Sequence, residues 1–370
     1  MDNINKTYKF IISGGGTGGH IFPAIAIADA LKAINTNNEI LFVGANGKME
    51  MEKVPAAGYN IKGLDVAGLQ RSLSPKNLLL PFKVLKSLFQ AYKIIKNYKP
   101  NACIGVGGYA SAPTLFVAAL MGIKTFIQEQ NSYPGITNKI LSKFANTIFV
   151  SYEHMNQFFP NDKIVLAGNP IRKDIVQTNI DKNNAYSHFN LNNTKKTILI
   201  IGGSLGARTI NQSVQKFYQD WINNDYQILW QTGKFYYDNI VKEIPNAPND
   251  LKIMQFIKEM DLAYTVADVI ISRAGALSIS ELCVIGKPCI LIPSPNVSED
   301  HQTKNAMALV NKNAAVLVKD NEATQVLGTT LLQLMNNEQQ LQSLSNNIKS
   351  LAKNNAANTI AQTIIQKINA

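Results

Sequence analysis

Long apolar runs are missing from this sequence, and arginine nearly so. No stretch approaches the ~20 residues that a transmembrane helix needs. The amino-terminus, Met1-Asp2-Asn3-Ile4-Asn5-Lys6, lacks the basic-then-apolar order of a signal peptide. Both absences lead us to expect a cytoplasmic protein. The three cysteines, Cys103, Cys283 and Cys289, cannot all pair and share no metal-ligand spacing. A disulfide framework and a zinc site are therefore unsupported, and a reducing compartment fits. Charged residues are only 16% of the chain against 46% hydrophobic, with 23 glycines and 14 prolines, which excludes disordered, collagen-like and coiled-coil classes. What remains is a soluble globular chain of 370 residues. At roughly 150 residues per domain that length fits two domains.

The charge balance is 36 basic against 25 acidic residues, a net +11, which points to an anionic partner: nucleic acid, acidic lipid or a phosphorylated small molecule. Only four of the basic residues, Arg71, Arg172, Arg208 and Arg273, are arginines. A chain that meets its solubility with lysine can keep arginine for sites where a planar bidentate fork is needed, and three of the four stand beside glycine-rich turns.

Apolar strand-like runs alternate with segments of helical period, the pattern of parallel sheets wrapped by helices. The expected strands are Lys9 to Ile12, Ile40 to Val43, Ala102 to Gly105, Thr125 to Gln128, Thr147 to Val150 and Ile164 to Leu166. A second series follows: Thr197 to Ile201, Ile228 to Gln231, Lys252 to Gln255, Val269 to Ser272 and Cys289 to Ile292. Each series has a glycine-rich turn after its first strand, Gly14 to Gly19 and Gly202 to Gly206. The expected class is α/β, with two Rossmann-like domains facing each other, 1–170 and 171–349. The tail, about 350–370, has helical spacing and is expected to pack back on the first domain.

The first turn reads Ser13-Gly14-Gly15-Gly16-Thr17-Gly18-Gly19-His20, between a strand and a helix expected to start near Pro23. Such a turn offers amides and a positive helix end to a phosphate or a developing oxyanion. A Walker A loop is excluded, because His20-Ile21 stands where Lys-Ser/Thr is required. Gly14, Gly16 and Gly19 spell a dinucleotide fingerprint, but Gly44-Ala45-Asn46 follows the second strand, where an acid would bind the ribose. The Tyr-x-x-x-Lys pair of a dehydrogenase or epimerase is spelled by Tyr92 and Lys96, in a lysine-studded helix with no serine partner nearby. His20 suits general base work near neutrality, and equally suits a cap on the helix start. In the second half, Gly202-Gly203-Ser204-Leu205-Gly206-Ala207-Arg208 adds a hydroxyl and a guanidinium to the same plan. Glu281, one turn into the helix after Arg273-Ala274-Gly275, can accept both hydroxyls of a ribose or simply complement the helix dipole. The polar run Asp300-His301-Gln302-Thr303-Lys304-Asn305-Ala306 suits sugar hydroxyls, as it suits a surface loop.

These motifs, taken in order, resemble the MurG family, the bacterial glycosyltransferases of peptidoglycan synthesis. The resemblance runs through Gly15 to His20, Gly107-Gly108-Tyr109-Ala110-Ser111-Ala112-Pro113, Glu129-Gln130-Asn131, Gly168-Asn169-Pro170-Ile171-Arg172, Gly202 to Arg208, Arg273 to Ser278 and His301 to Ala306. It implies two Rossmann-like domains with the donor in the cleft between them, the GT-B arrangement. It implies an inverting transfer of N-acetylglucosamine from UDP-N-acetylglucosamine to the C4 hydroxyl of undecaprenyl-pyrophosphoryl-N-acetylmuramyl pentapeptide, lipid I to lipid II. Donor contacts then fall on Thr17, Gly18, Gly19, Asn131, Arg172, Ser204, Ile257, Ala276, Leu277, Ser278, Ile279, Ser280, Glu281 and Gln302. Among them the Ile257 backbone is assigned to the uracil, Glu281 to the ribose, Ser204 to the phosphates and Gln302 to the sugar. Arg71 falls in a segment resembling the acceptor side. The family usually carries histidine where this chain has Gln128, so His20 leads as base, with Glu129 and Tyr109 as the other catalytic candidates.

No Asp-x-Asp occurs, so no cofactor is expected to be required, and helix-end amides with Arg172 are expected to steady the diphosphate, alone or with a loosely bound divalent cation. The lipid-linked acceptor requires the chain to visit the cytoplasmic face of the cell membrane as a peripheral protein, and leaves room for cell-wall synthesis proteins as partners. The segment Pro75 to Pro100 is the expected contact with an anionic inner-membrane surface: six lysines, no acid, and Leu78-Leu79-Leu80-Pro81-Phe82 at its front. There Leu85, Leu88, Phe89, Tyr92 and Ile95 are expected to face the core, with Leu79, Lys83 and Lys86 outward; a plain solvated helix is the alternative. Two other classes compete. An NAD-dependent oxidoreductase or nucleotide-sugar epimerase lacks its ribose acid, and a nucleic-acid binder lacks interleaved basic and aromatic residues.

Overall fold

A computed structural model describes residues 6–66, 80–171, 175 and 180–370. The chain divides into two compact units, Met1–Arg172 with Asn355–Ala370, and Lys173–Asn354. The first unit is built on strands β1 (Lys9–Ser13), β2 (Glu39–Ala45), β3 (Asn60–Leu64), β4 (Ala102–Gly105), β5 (Lys124–Glu129), β6 (Thr147–Val150) and β7 (Ile164–Leu166). They form one parallel sheet in the order β3-β2-β1-β4-β5-β6-β7. The central strands β1, β2 and β4 read as mainly apolar runs because both faces are covered. Phe10 and Ile12 pack on helices Gly18–Ile34 and Ala356–Asn369, through Ile27, Leu31, Ile360 and Ile364. Ile11, Leu41 and Cys103 face the other way, against Ala91, Ile95, Val117 and Ala118 of helices Leu80–Tyr98 and Ser111–Leu120. The carboxy-terminal helix is thus part of the first core.

The second unit repeats the plan with β8 (Thr197–Ile201), β9 (Gln227–Gln231), β10 (Leu251–Met254), β11 (Val269–Ser272), β12 (Cys289–Leu291) and β13 (Val316–Leu317), in the order β10-β9-β8-β11-β12-β13. Its core joins Ile198, Ile200, Trp230 and Ile271 to Ile210, Val214 and Trp221 of helix Arg208–Asn223 and to Leu327, Leu331 and Leu334 of helix Ala323–Met335.

Two strands were absent from the sequence reading, β3 and β13. In β3 the run is interrupted by Asn60, Lys62 and Gly63, as an edge strand allows, and β13 has only two residues. The first helix also begins earlier than Pro23: it starts at Gly18, and Pro23 lies inside it. The Thr17 carbonyl accepts the amides of His20 (3.1 Å) and Ile21 (3.2 Å), so the turn is already helical before the proline.

Register places the sites. Ser13 pairs with both Val43 and Gly105, so the loops after β1, β2 and β4 leave the sheet side by side. Ile201 pairs with Ser272, which does the same for the loops after β8 and β11. In each sheet the first strand has neighbours reached by opposite crossovers, the switch point where open α/β sheets bind ligands.

Candidate active site

In the first unit the glycine-rich loop after β1 lies against the loop after β4: a Cβ on Gly108 would stand 2.5 Å from the Gly15 carbonyl oxygen. No side chain larger than hydrogen fits between them. His20, half-buried, sits in the first helical turn, and its Nδ1 donates to the Gly15 carbonyl at 2.9 Å. A carbonyl only accepts, so Nδ1 carries the proton, and in the neutral ring Nε2 is the basic nitrogen. Thr17 is the N-cap residue but makes no side-chain cap bond; Gly18 and Gly19 open the helix. Tyr109 is exposed at the adjoining loop.

Glu129 is nearly fully buried, and both oxygens are occupied. Oε1 accepts the Asn131 backbone amide (3.0 Å) and side-chain amide (3.2 Å), and Oε2 accepts Gly135 N–H (3.2 Å) and Asn138 Nδ2 (2.8 Å). A carboxylate so saturated shapes the loop that presents Asn131. Gln128 is buried in an amide network: its Nε2 donates to Asn169 Oδ1 at 2.9 Å, and its Oε1 accepts from Gln130 Nε2.

In the second unit, helices Arg208–Asn223 and Ala276–Ile285 begin after Ala207 and Gly275, residues without a side chain to cap the first turn. Helix starts of this kind draw phosphate oxygens. Ser204 is exposed in the loop after β8, and its carbonyl accepts Lys234 N–H at 3.1 Å. Glu281 Oε2 accepts the hydroxyl of buried Tyr264 at 3.0 Å. Ile279 is buried, so only its backbone can meet a ligand, whereas Ala276, Leu277, Ser278 and Ser280 are half-buried. Ile257 is fully buried and its amide donates to Gln231 Oε1 at 2.9 Å, while Gln231 Nε2 donates to the Gly203 carbonyl at 3.2 Å. Gln231 therefore ties the glycine loop to the Ile257 loop. Gln302 Oε1 accepts Ser294 N–H at 2.8 Å.

Arg273, grouped in the sequence with the arginines reserved for ligands, has another task. Its Nη1 donates to the Ile292 carbonyl (3.0 Å), the Pro293 carbonyl (3.2 Å) and Asp320 Oδ1. It staples the ends of β11 and β12 together. Arg71 and Arg172 lie outside the described residues, as do Leu78 and Leu79. Burial pushes the Cys283 thiol up to about 12 and raises Cys103 and Cys289 as well, so none is a ready nucleophile. Among the described residues no group of three or more His, Cys, Asp or Glu is gathered for a metal.

Helix Leu80–Tyr98 keeps only part of the expected phase: Ile95 is buried and Leu88 packs partly against the core, as expected, but Leu85, Phe89 and Tyr92 do not face it. Its buried line is Ser87, Ala91 and Ile95, whereas Phe82 (71% exposed), Leu85 (63%) and Phe89 (58%) face outward with Tyr92. Small side chains let the helix sit close to the sheet, and the large ones are displaced to the surface. Lys93 Nζ lies 4.5 Å from the Phe89 ring centre and Lys96 Nζ 5.5 Å from that of Tyr92. Lys83 and Lys86 face outward as expected, and Lys86 pairs there with Asp65 at 2.8 Å. Among the described residues no helix is long and apolar enough to cross a membrane.

Two parallel-sheet Rossmann-like units, each with a glycine-rich turn at its switch point, are the architecture of the GT-B glycosyltransferases. Residues 10–150 match the glycosyltransferase family 28 N-terminal domain and residues 197–363 the family 28 C-terminal domain, and the chain belongs to this family. A relative from Flavobacterium psychrophilum is 52% identical over 98% of both chains, and one from Cytophaga hutchinsonii 54% identical over 98% of both. Each is named UDP-N-acetylglucosamine--N-acetylmuramyl-(pentapeptide) pyrophosphoryl-undecaprenol N-acetylglucosamine transferase. The crystal structure of Acinetobacter baumannii MurG matches with TM-score 0.76 at 29% identity, covering 98% of this chain and all of that one. A UDP co-structure of Staphylococcus aureus MnaA, at 12% identity and TM-score 0.71 over 98% and 97% of the two chains, shares the fold.

Proposed function

We propose that this chain transfers N-acetylglucosamine from UDP-N-acetylglucosamine to the C4 hydroxyl of the lipid-linked muramyl pentapeptide, with inversion, at the cytoplasmic face of the cell membrane. The observation that carries the reading is the full-length identity of 52% and 54% to transferases named for that reaction. Unit 1 supplies the base. Neutral His20 takes the hydroxyl proton on Nε2 as the acceptor oxygen attacks the anomeric carbon, and the bond to the UDP oxygen breaks with its electron pair leaving on the diphosphate. The Gly15 carbonyl then stabilises the imidazolium through Nδ1–H. Unit 2 holds the donor: Glu281, oriented by Tyr264, accepts from the ribose, and the amides opening helices Arg208–Asn223 and Ala276–Ile285 meet the growing charge on UDP. Arg172 is assigned to the same charge by resemblance. No step is given to a metal ion.

The exposed stripe Phe82, Leu85, Phe89 and Tyr92, with Lys83, Lys93 and Lys96 beside it, is the membrane contact in this reading. Aromatic and leucine side chains enter the interface while each lysine gains ~1 kcal/mol from anionic headgroups. The test is direct. Purified protein should form radiolabelled disaccharide product from UDP-N-acetylglucosamine and lipid-linked acceptor, and bind UDP in preference to NADH and single-stranded RNA. Product absent with donor bound would overturn the acceptor; NADH binding with a nicotinamide spectral change would restore the oxidoreductase.

A further inference from the structure

Glu50 opens the short helix Glu50–Ala56 and is 1% exposed. Its oxygens are divided between two loops: Oε1 accepts Ala45 N–H at 2.9 Å, at the end of β2, and Oε2 accepts Gly16 N–H at 2.8 Å, in the glycine-rich turn. The chain makes room for it twice. A Cβ on Gly15 would stand 2.1 Å from Oε1, and a Cβ on Gly44 2.5 Å from Cγ.

The Gly16 amide and the Gly15 carbonyl belong to one peptide group. That group is planar and trans, so its N–H and C=O point in opposite directions. Glu50 takes the N–H on one side, and His20 Nδ1 donates to the C=O on the other. A peptide between two glycines, with Gly16 at φ +84°, has more torsional freedom than one flanked by larger residues, and the side chains bonded at its two edges add to the packing of Gly108 in fixing its orientation. A carboxylate on the N–H also polarises the carbonyl toward a better acceptor.

We infer that Glu50 is a positioning residue of the transfer: through the Gly15–Gly16 peptide it holds His20 as the Nδ1–H tautomer and aims Nε2. The Nε2 edge of the ring lies over Gly107, where a Cβ would stand 2.8 Å from Nε2. Without Glu50 the peptide can turn, leaving Nδ1 only the longer contact to Thr17 Oγ1 at 3.4 Å and loosening the direction of the ring. The inference rests on His20 being the base.

The experiment is a double-mutant cycle on the full-length enzyme, with Glu50→Gln, His20→Ala and the pair, reading kcat, donor KM, UDP binding and thermal midpoint. Glu50→Gln keeps an acceptor for one amide and sets its NH2 against the other. We expect kcat to fall about 10- to 100-fold, as for a misaimed catalytic group. Donor KM and UDP affinity should stay within about threefold. In the His20→Ala background, Glu50→Gln should cost less than about threefold, because its effect passes through the histidine. If Glu50→Gln lowers the midpoint too far to assay, Gly44→Ala, which drives a methyl into the Glu50 side chain while keeping its charge, takes its place in the cycle. Wild-type kcat in the Glu50 variant, or its full cost persisting without His20, overturns the inference. A His20→Ala enzyme with undiminished kcat overturns the base itself, a different result.

Discussion

The two glycine-rich turns sit at the same place in the same sheet order, yet they carry different side chains and different backing. The turn after β1 leads within its first helical turn to His20, backed by the Gly15 carbonyl and, behind that, by the Glu50 carboxylate. Acceptors therefore converge on a proton-carrying ring. The turn after β8 leads to Arg208 and exposed Ser204, and its sheet contributes a second helix start at Ala276. There donors converge where a diphosphate would bind. In the proposed reading one architectural plan serves a base and an anion cradle, and the difference lies in the side chains around the last glycine and what stands behind the turn.

If the first turn is the base side, removing its histidine should have the largest effect. His20→Ala is expected to lower kcat ~10²–10⁴-fold while UDP still binds. Activity within threefold of wild type, measured at saturating donor, would make His20 a packing residue and break the contrast. If the second turn is the cradle side, its lesions should appear in binding. Glu281→Ala is expected to raise donor KM about tenfold or more with a smaller change in kcat, since ribose contacts are made alike in ground and transition states. The comparison of UDP with 2′-deoxy-UDP sharpens it: the variant should lose its preference for the ribose, and a preserved preference removes Glu281 from that role.

A third contrast, between the faces of helix Leu80–Tyr98, predicts a smaller and more selective effect. Leu85→Glu with Phe89→Glu places charge on the outward stripe and leaves the buried Ser87, Ala91 and Ile95 line intact. Binding to vesicles containing anionic lipid should weaken roughly tenfold or more, with turnover of lipid-linked acceptor falling in step and turnover of a soluble short-chain acceptor unchanged. Equal loss on both acceptors would assign these residues to the acceptor site, and unchanged vesicle binding would move the membrane face elsewhere.

What the sequence made legible follows from distance along the chain. Apolar runs exposed eleven of the thirteen strands among the described residues, because strands covered on both faces carry their burial in local composition. The glycine turns were legible for the same reason. The phase of helix Leu80–Tyr98 was legible only in part, at Leu88 and Ile95: large apolar residues occupy more than one face, and only the sheet shows that Ser87 and Ala91 fit against it. Three supports were equally hidden. Glu50 reaches Gly16 across 34 residues, Gln231 reaches Ile257 across 26 and Tyr264 reaches Glu281 across 17. Gln231 left one trace, a polar residue closing the apolar run Ile228-Leu229-Trp230. Arg273 misled because a glycine beside an arginine looks alike whether the guanidinium meets a ligand or a neighbouring carbonyl.

The smallest expected effect separates the edges of the two sheets. Asp65, just past β3, accepts from Lys86 at 2.8 Å, from Asn46 Nδ2 at 2.6 Å and from Gln90 Nε2 at 3.0 Å, tying that edge to the helix carrying the exposed stripe. The Lys86 ammonium foremost, then the Asn46 and Gln90 amides, lower its carboxyl to about 2. A folded-state value below the unfolded one stabilises the fold above the ordinary carboxylate range, and that stabilisation is lost as pH falls through the folded value. The group is largely exposed, so screening keeps the contribution small. The difference in urea midpoint between wild type and Asp65→Asn should therefore be modest and constant from about pH 5 to 7, then shrink as pH falls from about 4 toward about 2. It should also shrink in high salt, as an exposed pair requires. A difference that instead persisted undiminished to about pH 2 would mean that the hydrogen bonds of Asn46 and Gln90, and not the Lys86 pair, hold this edge in place.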